Sequence, residues 1–179
     1  GRIWRIPIEG GEPIEIPVEV DVIVQLGPKL DFDYPVDDSP TFIARQIRDA
    51  VPSPDGSRLA FTVMRRLYAM DFPDGEPRRL TDMADVGEHM PTWSPDGQWI
   101  AYVTWSEDDG GHIYRTRANE RGSAQRLTET AGTYTQPAWS PDGARIVAVR
   151  GSVRDLRDAT GPFAPGARDF VWIPSDGGA

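Results

Sequence analysis

Few side chains in this chain of 179 residues could act as acids, bases or nucleophiles. The sequence has no cysteine and two histidines, His89 and His112. A thiolate nucleophile and a cysteine-bound metal are therefore excluded. The histidines form neither His-x-His nor His-Glu-x-x-His, and Lys29 lacks the glycine-rich loop of a phosphate site. Because no Gly-x-Ser-x-Gly sequence is present either, we predict no catalytic residue, no metal site and no cofactor.

Paired carboxylates are common in the chain, but they lie mostly in predicted turns. Asp55, Asp96 and Asp142 each stand between a proline and a glycine. An aspartate in a turn bonds neighbouring backbone amides. We therefore interpret these three residues as structural.

A second acidic cluster lies in an Asp- and Pro-rich segment near the N-terminus. Its members are Asp31, Asp33, Asp37 and Asp38. Two interpretations are open, a calcium-binding loop and a solvated acidic connector. The spacing does not match an EF-hand, and the composition favours the connector.

The elements that position these residues follow from a phrase that occurs three times. Ser53-Pro54-Asp55-Gly56 returns as Ser94–Gly97 and as Ser140–Gly143, at spacings of 41 and 46 residues. An apolar run follows each copy, and an aromatic-bearing run with a glycine-containing turn follows that. A period of about 40 to 50 residues with strand and turn signals is typical of propeller blades.

Each repeat is interpreted as four antiparallel strands, named a to d from the axis outward. The Pro-Asp-Gly sequence suits the turn between a and b. We therefore predict an all-β fold, a partial β-propeller of about three to three and a half four-stranded blades. Within a single domain, 1–179, the predicted parts are a half-blade (1–24), a connector (25–50), a blade (51–86), a second blade (87–131) and an incomplete blade (132–179).

Three local patterns give further expectations. Apolar residues alternate from Ile14 to Val24, which predicts a long half-buried strand. Thr41 to Asp49 is the best candidate for a short helix. Trp93 and Trp139 directly precede two of the repeated turns, and we expect them to be buried between blades.

Polar residues precede strand a of each repeat, where the segments of a propeller converge at one mouth of the central channel. Binding residues favour such loops on a rigid scaffold. The alternative is that these are ordinary solvated residues. His112, at the start of a strand c, is interpreted as a surface residue. The candidate ligand- or partner-binding residues are Arg45, Arg48, Glu88, His89, Tyr134 and Gln136.

Charge and hydropathy limit the classes of partner. The formal net charge is -9 and no basic block is present, which argues against nucleic-acid binding. The longest apolar run, Trp99 to Trp105, is far shorter than the roughly 20 residues of a membrane span.

The repeat resembles that of a known family. Trp-Ser-Pro-Asp-Gly, an Ile-Ala-Tyr strand, Gly-Gly and Arg-Leu-Thr together resemble the TolB-type propeller repeat, a relative of WD repeats, over nearly the whole chain. The resemblance implies a propeller of about six or seven blades that binds partners through its channel face or rim. The Asp31–Asp38 and Gln46–Asp49 segments look most like the propeller found ahead of amidohydrolase domains. The family also implies a periplasmic or other extracytoplasmic location.

Two functions are compatible with this resemblance, and in both the chain itself is not an enzyme. The first is a TolB-like module that binds a protein partner or a small ligand at the channel face. The second is an accessory or substrate-gating propeller of a larger hydrolase of the amidohydrolase or prolyl-oligopeptidase type. A His-x-His motif downstream of Ala179 in the native reading frame would favour the second.

The number of blades raises the question of ring closure. Propellers have about 4 to 8 blades, and open strand edges are sites of association. We expect either a homodimer, in which two chains close one ring by twofold symmetry, or a longer parent chain that contains the missing blades.

Overall fold

The computed structural model describes residues 3–24, 27, 38–154 and 168–178. Helical backbone within these ranges is confined to Val153 and Arg154, so the prediction of an all-β fold is confirmed. The strands are β1 (Ile3–Arg5), β2 (Ile14–Ile16), β3 (Arg48–Pro52), β4 (Arg58–Val63), β5 (Arg66–Asp71), β6 (Arg78–Arg79), β7 (Gly87–Trp93), β8 (Trp99–Ser106), β9 (Gly110–Arg117), β10 (Gln125–Arg126), β11 (Thr133–Trp139), β12 (Arg145–Gly151) and β13 (Arg168–Pro174).

These strands form antiparallel sheets, and the strands that pair within each sheet are consecutive in the chain. Blade 1 is β3–β4–β5–β6, blade 2 is β7–β8–β9–β10, and blade 3 is the three-stranded sheet β11–β12–β13. A separate pair, β1–β2, belongs to a compact unit that spans Gly1–Thr41, while the blades form the unit Phe42–Ala179. The described sheets are those of the predicted partial propeller.

The three Ser-Pro-Asp-Gly copies form equivalent turns between strands a and b of their blades. In blade 1 the Ser53 hydroxyl donates to Asp55 Oδ1 at 2.6 Å, and the Gly56 amide donates to the Ser53 carbonyl at 2.9 Å. The same hydroxyl–carboxylate bond measures 2.5 Å at both Ser94 and Ser140. The three turn glycines have φ between +66° and +72°, a region that side chains disfavour. The structural interpretation of the three aspartates is therefore confirmed.

Two apolar cores lie between consecutive blades, because alternate residues of each strand face opposite sides of the sheet. Ile100 and Tyr102 of β8 face blade 1, whereas Ala101 and Val103 face blade 3. The core between blades 1 and 2 contains Ala60, Leu67, Ala69, Leu80, Trp93, Ile100, Tyr102 and Ala118. The core between blades 2 and 3 contains Ala101, Val103, Ile113, Leu127, Tyr134, Ile146, Ala148 and Ile173.

The tryptophans before the turns join each blade to the preceding one. Trp93 Nε1 of blade 2 donates to the Val51 carbonyl of blade 1 at 3.0 Å. Trp139 Nε1 of blade 3 donates to the Thr92 carbonyl of blade 2 at 3.1 Å. Trp93 is 7% exposed, as expected, while Trp139 is half-buried and packs at the edge of its core.

A bulge recurs in strand a of every blade, three residues before the position of the tryptophan. Asp49, Met90 and Gln136 have φ between +51° and +53°, and the strand register shifts at each of them. The bulges contact one another across the blades. The Met90 amide donates to Asp49 Oδ2 at 3.0 Å, and the Gln136 amide lies 3.4 Å from Met90 Sδ.

Two local expectations were wrong. Of the alternating segment from Ile14 to Val24, only Ile14–Ile16 is a strand, and the apolar side chains of the segment are exposed. Strand pairing is shorter than the alternating pattern, since β2 pairs with β1 over three residues. The predicted helix from Thr41 to Asp49 is also absent, because β3 begins at Arg48 and the φ of Asp49 is incompatible with a right-handed helix.

Some sequence features lie outside the described residues. These include Asp31, Asp33 and Asp37, so the choice between calcium loop and connector stays a prediction. In the part of the chain that the structure describes, we find no helix with the length and apolar character needed to span a bilayer.

We predict that the inter-blade tryptophans contribute to stability according to their burial. Trp93→Ala should lower the free energy of unfolding by about 3 to 5 kcal/mol, because it removes a large buried side chain and its bond to blade 1. Trp139→Ala should cost less. Urea denaturation measures both, with Trp172→Ala as a control because Trp172 is 60% exposed. Equal effects of the Trp93 and Trp172 changes would contradict the assignment.

We predict that the turn aspartates make stability depend on pH in acid. Hydrogen bonds from Ser53 and then Ser57 lower the pKa of Asp55 to about 2, and similar bonds lower the pKa of Asp96 and Asp142. A carboxyl whose pKa is lower in the folded state stabilises the fold above its unfolded pKa of about 3.9 and loses this effect as the pH falls.

Replacement of all three aspartates by asparagine should therefore flatten the change in stability between about pH 4 and pH 2. Thermal melts over this range measure the slope. The range above about pH 5 is the control, because there the parent and the variant should show the same slope. An unchanged acid slope in the variant would show that other groups determine it.

Candidate functional site

Two adjacent cavities lie at the ends of the blades opposite the Ser-Pro-Asp-Gly turns, and His89 lines both. Their volumes are about 540 and 270 Å³. The larger is formed where the chain enters β3 and by the hairpin between β4 and β5. It is lined by Phe42, Ile43, Ala44, Arg45, Gln46, Arg48, Thr62, Met64, Arg65 and His89. The smaller is lined by His89, Met90, Val103, Thr104, Trp105, Thr133, Tyr134, Thr135, Val149 and Arg168.

Three guanidinium groups surround the larger cavity. Arg65 donates to the Trp105 carbonyl at 3.5 Å. None of the described residues accepts a hydrogen bond from the side chain of Arg45 or Arg48, and none forms an ion pair with either. The cavity is thus a locally basic region in a chain whose formal net charge is -9. Guanidinium groups bind carboxylates and phosphates through paired hydrogen bonds, so the arrangement suits an anionic group.

The electrostatics of His89 reflect this basic surrounding. Burial is the largest cause that lowers the pKa of its imidazole, followed by the charges of Arg65 and Arg48, while Asp49 acts in the opposite direction. The pKa therefore lies below its usual value, and the ring is neutral near pH 7. A neutral imidazole can donate one hydrogen bond and accept another.

The structure separates the sequence-predicted binding residues into two groups. Arg45, Arg48 and His89 meet at the larger cavity. Tyr134 lines the smaller one but is 4% exposed, and its hydroxyl donates to the Thr130 carbonyl at 2.7 Å. Gln136 is exposed at its bulge and lines neither cavity.

Glu88 lies outside both cavities, because alternation along β7 turns its side chain into the junction between blades 1 and 2. The residue is fully buried, and its Oε2 accepts from the Leu67 amide at 2.7 Å. Burial raises the pKa of this carboxyl, against the effects of Thr81, the Leu67 amide and two arginines. The contact with blade 1 indicates a structural role.

The expectation that His112 is a surface residue was wrong. It is 3% exposed, its Nδ1 lies 3.0 Å from Thr128 Oγ1, and its Nε2 lies 3.3 Å from Asp109 Oδ2. Thr128 is the last residue of an Arg-Leu-Thr segment and also accepts from the Ile113 amide. The histidine therefore helps to fix strand d of blade 2 to strand c.

Arg65 is a cavity residue that the sequence analysis missed. It follows Met64 in a two-residue hairpin in which both residues have positive φ, 48° and 60°. Two-residue loops of this kind are usual between antiparallel strands. The sequence signal that could have identified Arg65 is the short interval between the apolar runs of β4 and β5. This interval predicts a hairpin at the end of the blade where strand a begins.

No group of three or more His, Asp or Glu side chains suited to a metal ion occurs in the ranges that the structure describes. The site is therefore best described as a basic, partly apolar recess with one neutral imidazole.

The sequence profile of the TolB beta propeller domain matches residues 49–159. Over 83 residues the chain is 32% identical to the Tol-Pal system protein TolB of Alcanivorax borkumensis, a match that spans 44% of this chain and 18% of the relative. Over 57 residues it is 39% identical to the uncharacterized peptidase YuxL of Bacillus subtilis, which spans 32% of this chain and 8% of that protein.

The structure is similar to that of a TolB candidate from Agrobacterium tumefaciens. The TM-score is 0.59 at 27% sequence identity, and the match covers 72% of this chain and 45% of the other. The chain thus spans less than half of the length of each of these three proteins.

We predict that the arginines of the larger cavity control the titration of His89. Arg65→Gln should raise the pKa of His89, because it removes the stronger of the two neighbouring positive charges, and Arg48→Gln should raise it less. NMR titration of the imidazole protons measures both shifts. His112 provides an internal control, since its charged neighbours are Arg126 and Asp109. A His89 that titrates identically in the parent and in Arg65→Gln would contradict the described cavity.

Proposed function

The chain belongs to the TolB beta propeller domain family, and from this premise we propose that it is a non-catalytic module that binds a protein partner at the mouth of its blades. The partner presents an acidic group to the cavity formed by Arg45, Arg48, Arg65 and His89. The convergence of these side chains is the observation that supports the proposal most directly. Family membership alone does not define a function.

The charge of the cavity favours an acidic group as the recognised feature. Arg45 and Arg48 are exposed and meet no acceptor among the described residues, so a carboxylate that enters the cavity breaks no hydrogen bond or ion pair to those residues. The neutral His89 adds a hydrogen bond that does not depend on charge. Charged contacts of this kind contribute mainly to specificity and to the rate of association.

The apolar rim of the same cavity favours a protein over a small anion. Phe42 and Ile43 line it and are 66% and 85% exposed, and Ile47 in the same segment is 54% exposed. Apolar residues beside a few polar groups are typical of sites that recognise a larger surface. An acidic segment with a neighbouring apolar side chain would use both features.

The proposed module acts outside the cytoplasm, in the periplasm or an equivalent compartment. The family resemblance supports this location, and the absence of cysteine is compatible with it. The similarity to a Tol-Pal system protein adds to the same interpretation.

A second candidate function is that of an accessory propeller in a larger hydrolase. The similarity to the Bacillus subtilis peptidase YuxL favours it. In this case the catalytic residues would belong to a separate domain, and the basic cavity would receive the acidic part of a substrate. The native reading frame beyond Ala179 discriminates between the candidates, because a downstream catalytic motif would support the hydrolase.

We predict that the chain binds a fluorescein-labelled tetraglutamate peptide with a flanking leucine more tightly than the matching tetralysine peptide. The double replacement of Arg45 and Arg48 by glutamine should weaken binding about fivefold in low salt, since exposed ion pairs contribute about 0.2 to 1 kcal/mol each. Fluorescence anisotropy measures the dissociation constants, and added salt should weaken binding further.

Arg121→Gln is the matched control for this experiment. It removes the same charge from a surface pair with Asp82, distant in sequence from the cavity residues. The proposal fails if both peptides bind equally, or if Arg121→Gln weakens binding as much as the double replacement does.

A further inference from the structure

Another cavity lies between blades 2 and 3, at the end of the blades that carries the Ser-Pro-Asp-Gly turns. We call it the turn cavity, and its volume is about 460 Å³. The basic cavity of the proposed binding site lies at the opposite end of the blades, so the two are separate features. The lining of the turn cavity includes Asp96, Trp99 and Arg115 of blade 2 and Trp139, Asp142 and Gly143 of blade 3.

The junction between blades 1 and 2 shows which chemical group fits the equivalent place. Arg58 of blade 1 extends over the ring of Trp93, with its Cζ 4.7 Å from the ring centroid, and its Nη2 donates to the Gly97 carbonyl at 2.6 Å. By the spacing of the repeated turns, Trp139 and Gly143 are the counterparts of this tryptophan and glycine. At the first junction a guanidinium group therefore stacks on the inter-blade tryptophan and binds the carbonyl of the turn glycine.

The junction between blades 2 and 3 lacks this arginine, because Trp99 occupies the position of Arg58 in blade 2. Among the described residues, no guanidinium group stacks on Trp139 and no side chain donates to the Gly143 carbonyl. The burial of the two junctions differs accordingly. The tryptophan and the glycine of the first junction are buried, whereas Trp139 and Gly143 are half-buried and line the turn cavity.

The arginine that lines the turn cavity is engaged within blade 2. The Cζ of Arg115 lies 4.2 Å from the centroid of the Trp99 ring, and its Nε donates to Gln125 Oε1 at 3.0 Å. The guanidinium of Arg117 lies over the same ring at 4.4 Å. Trp99 thus stacks with arginines of its own blade, and Trp139 is the lining tryptophan that a further cation can reach.

The turn aspartates give the turn cavity a negative lining. Asp96 and Asp142 each use Oδ1 to accept from the turn serine and from a following amide. In the first turn Oδ2 of Asp55 also accepts from the Ser57 hydroxyl, at 2.8 Å. Among the described residues, no hydrogen bond reaches Oδ2 of Asp96 or Asp142. The lining therefore carries two carboxylates with available oxygens against the one engaged guanidinium.

We propose that the turn cavity binds the guanidinium group of an arginine side chain that a protein segment presents. The guanidinium stacks on Trp139, donates to the Gly143 carbonyl and faces the carboxylates of Asp96 and Asp142. Tryptophan is the aromatic ring that cations prefer, and the formal net charge of -9 favours the approach of a basic partner. This site is independent of the proposed acidic-group site.

The size and the rim of the turn cavity favour an arginine within a chain over a free guanidinium compound. The volume of about 460 Å³ falls in the usual range of ligand sites, roughly 300 to 1,000 Å³, and leaves space around one guanidinium group. Pro95 and Pro141 also line the cavity and are exposed. These rings offer apolar surface to the residues that flank the arginine.

NMR titration with three matched peptides tests the proposal. The peptides are acetyl-Gly-Arg-Gly-amide and its analogues with citrulline, which has the shape of arginine without its charge, or with glutamate. We expect the arginine peptide to shift the indole N–H of Trp139 and the amide of Ala144, which follows the Gly143 carbonyl. The indole N–H of Trp93 should not shift, since Arg58 covers its ring. The citrulline peptide should bind about fivefold more weakly, and the glutamate peptide should leave these signals unchanged.

A pair of aspartate variants separates binding from effects on the turns. Asp142→Asn should weaken binding of the arginine peptide about threefold, because it removes one of the two facing charges and retains an oxygen for the turn serine. Asp55→Asn is the matched control, since it makes the same change in the turn of blade 1, outside the cavity lining. It should leave the dissociation constant unchanged.

A further variant supplies the guanidinium from the chain itself. Trp99→Arg combined with Arg115→Ala and Arg117→Asp gives blade 2 the residues that blade 1 has at the same register positions. In the folded variant, the Trp139 indole signal should move towards its peptide-bound position, and the arginine peptide should no longer shift it.

The proposal is overturned if the arginine and citrulline peptides bind equally, or if the glutamate peptide shifts the same signals. It is also overturned if Asp142→Asn and Asp55→Asn weaken binding alike. Free argininamide distinguishes the source of the guanidinium, and we expect it to bind more weakly than the arginine peptide. Tighter binding of argininamide would assign the cavity to a small guanidinium compound and would overturn the assignment to a protein segment.

Discussion

The indole hydrogen bond that blades 2 and 3 each donate to the innermost strand of the preceding blade sets the stacking of the sheets. It fixes the position of one sheet on the next at the point where strand a meets its turn. The serine–aspartate bond of each turn fixes the end of strand a, at the tryptophan in blades 2 and 3 and at Pro52 in blade 1. A buried donor that finds an acceptor avoids a penalty of about 1 to 3 kcal/mol, so packing and hydrogen bonding at the junction support each other.

The candidate site lies at the opposite end of the same innermost strands. Strand a ends at the Ser-Pro-Asp-Gly turn and contains the bulge three residues before the tryptophan position, where the side chains of Asp49 and Met90 contact the amides of the next blade. The bulges therefore align the innermost strands with one another. Arg48 and His89, directly before two of these bulges, remain available to line a common cavity.

Spacing alone predicted the parts of the fold that rest on backbone geometry. Three identical turn phrases required three equivalent hairpins, and the expected burial of the preceding tryptophans holds for Trp93, while Trp139 is half-buried. The bulges escaped prediction because aspartate, methionine and glutamine share no pattern at the left-handed position. Glu88 and Tyr134 resembled mouth residues by sequence position, but the alternation of strand a directs their side chains inward. The alternation of apolar residues from Ile14 to Val24 led to a wrong prediction. Such a pattern indicates which side chains a strand could bury, but burial also requires a second surface to cover them.

The indole bonds are formed throughout the folded ensemble and open only when the blades separate. Native-state hydrogen exchange of the tryptophan side chains, followed by NMR, measures this directly. We expect the Nε1 protons of Trp93 and Trp139 to exchange far more slowly than that of the exposed Trp172, and Trp93 to exchange only through unfolding of the junction. Exchange of the Trp93 proton at the rate of Trp172 would show that the indole donates to water and not to the Val51 carbonyl.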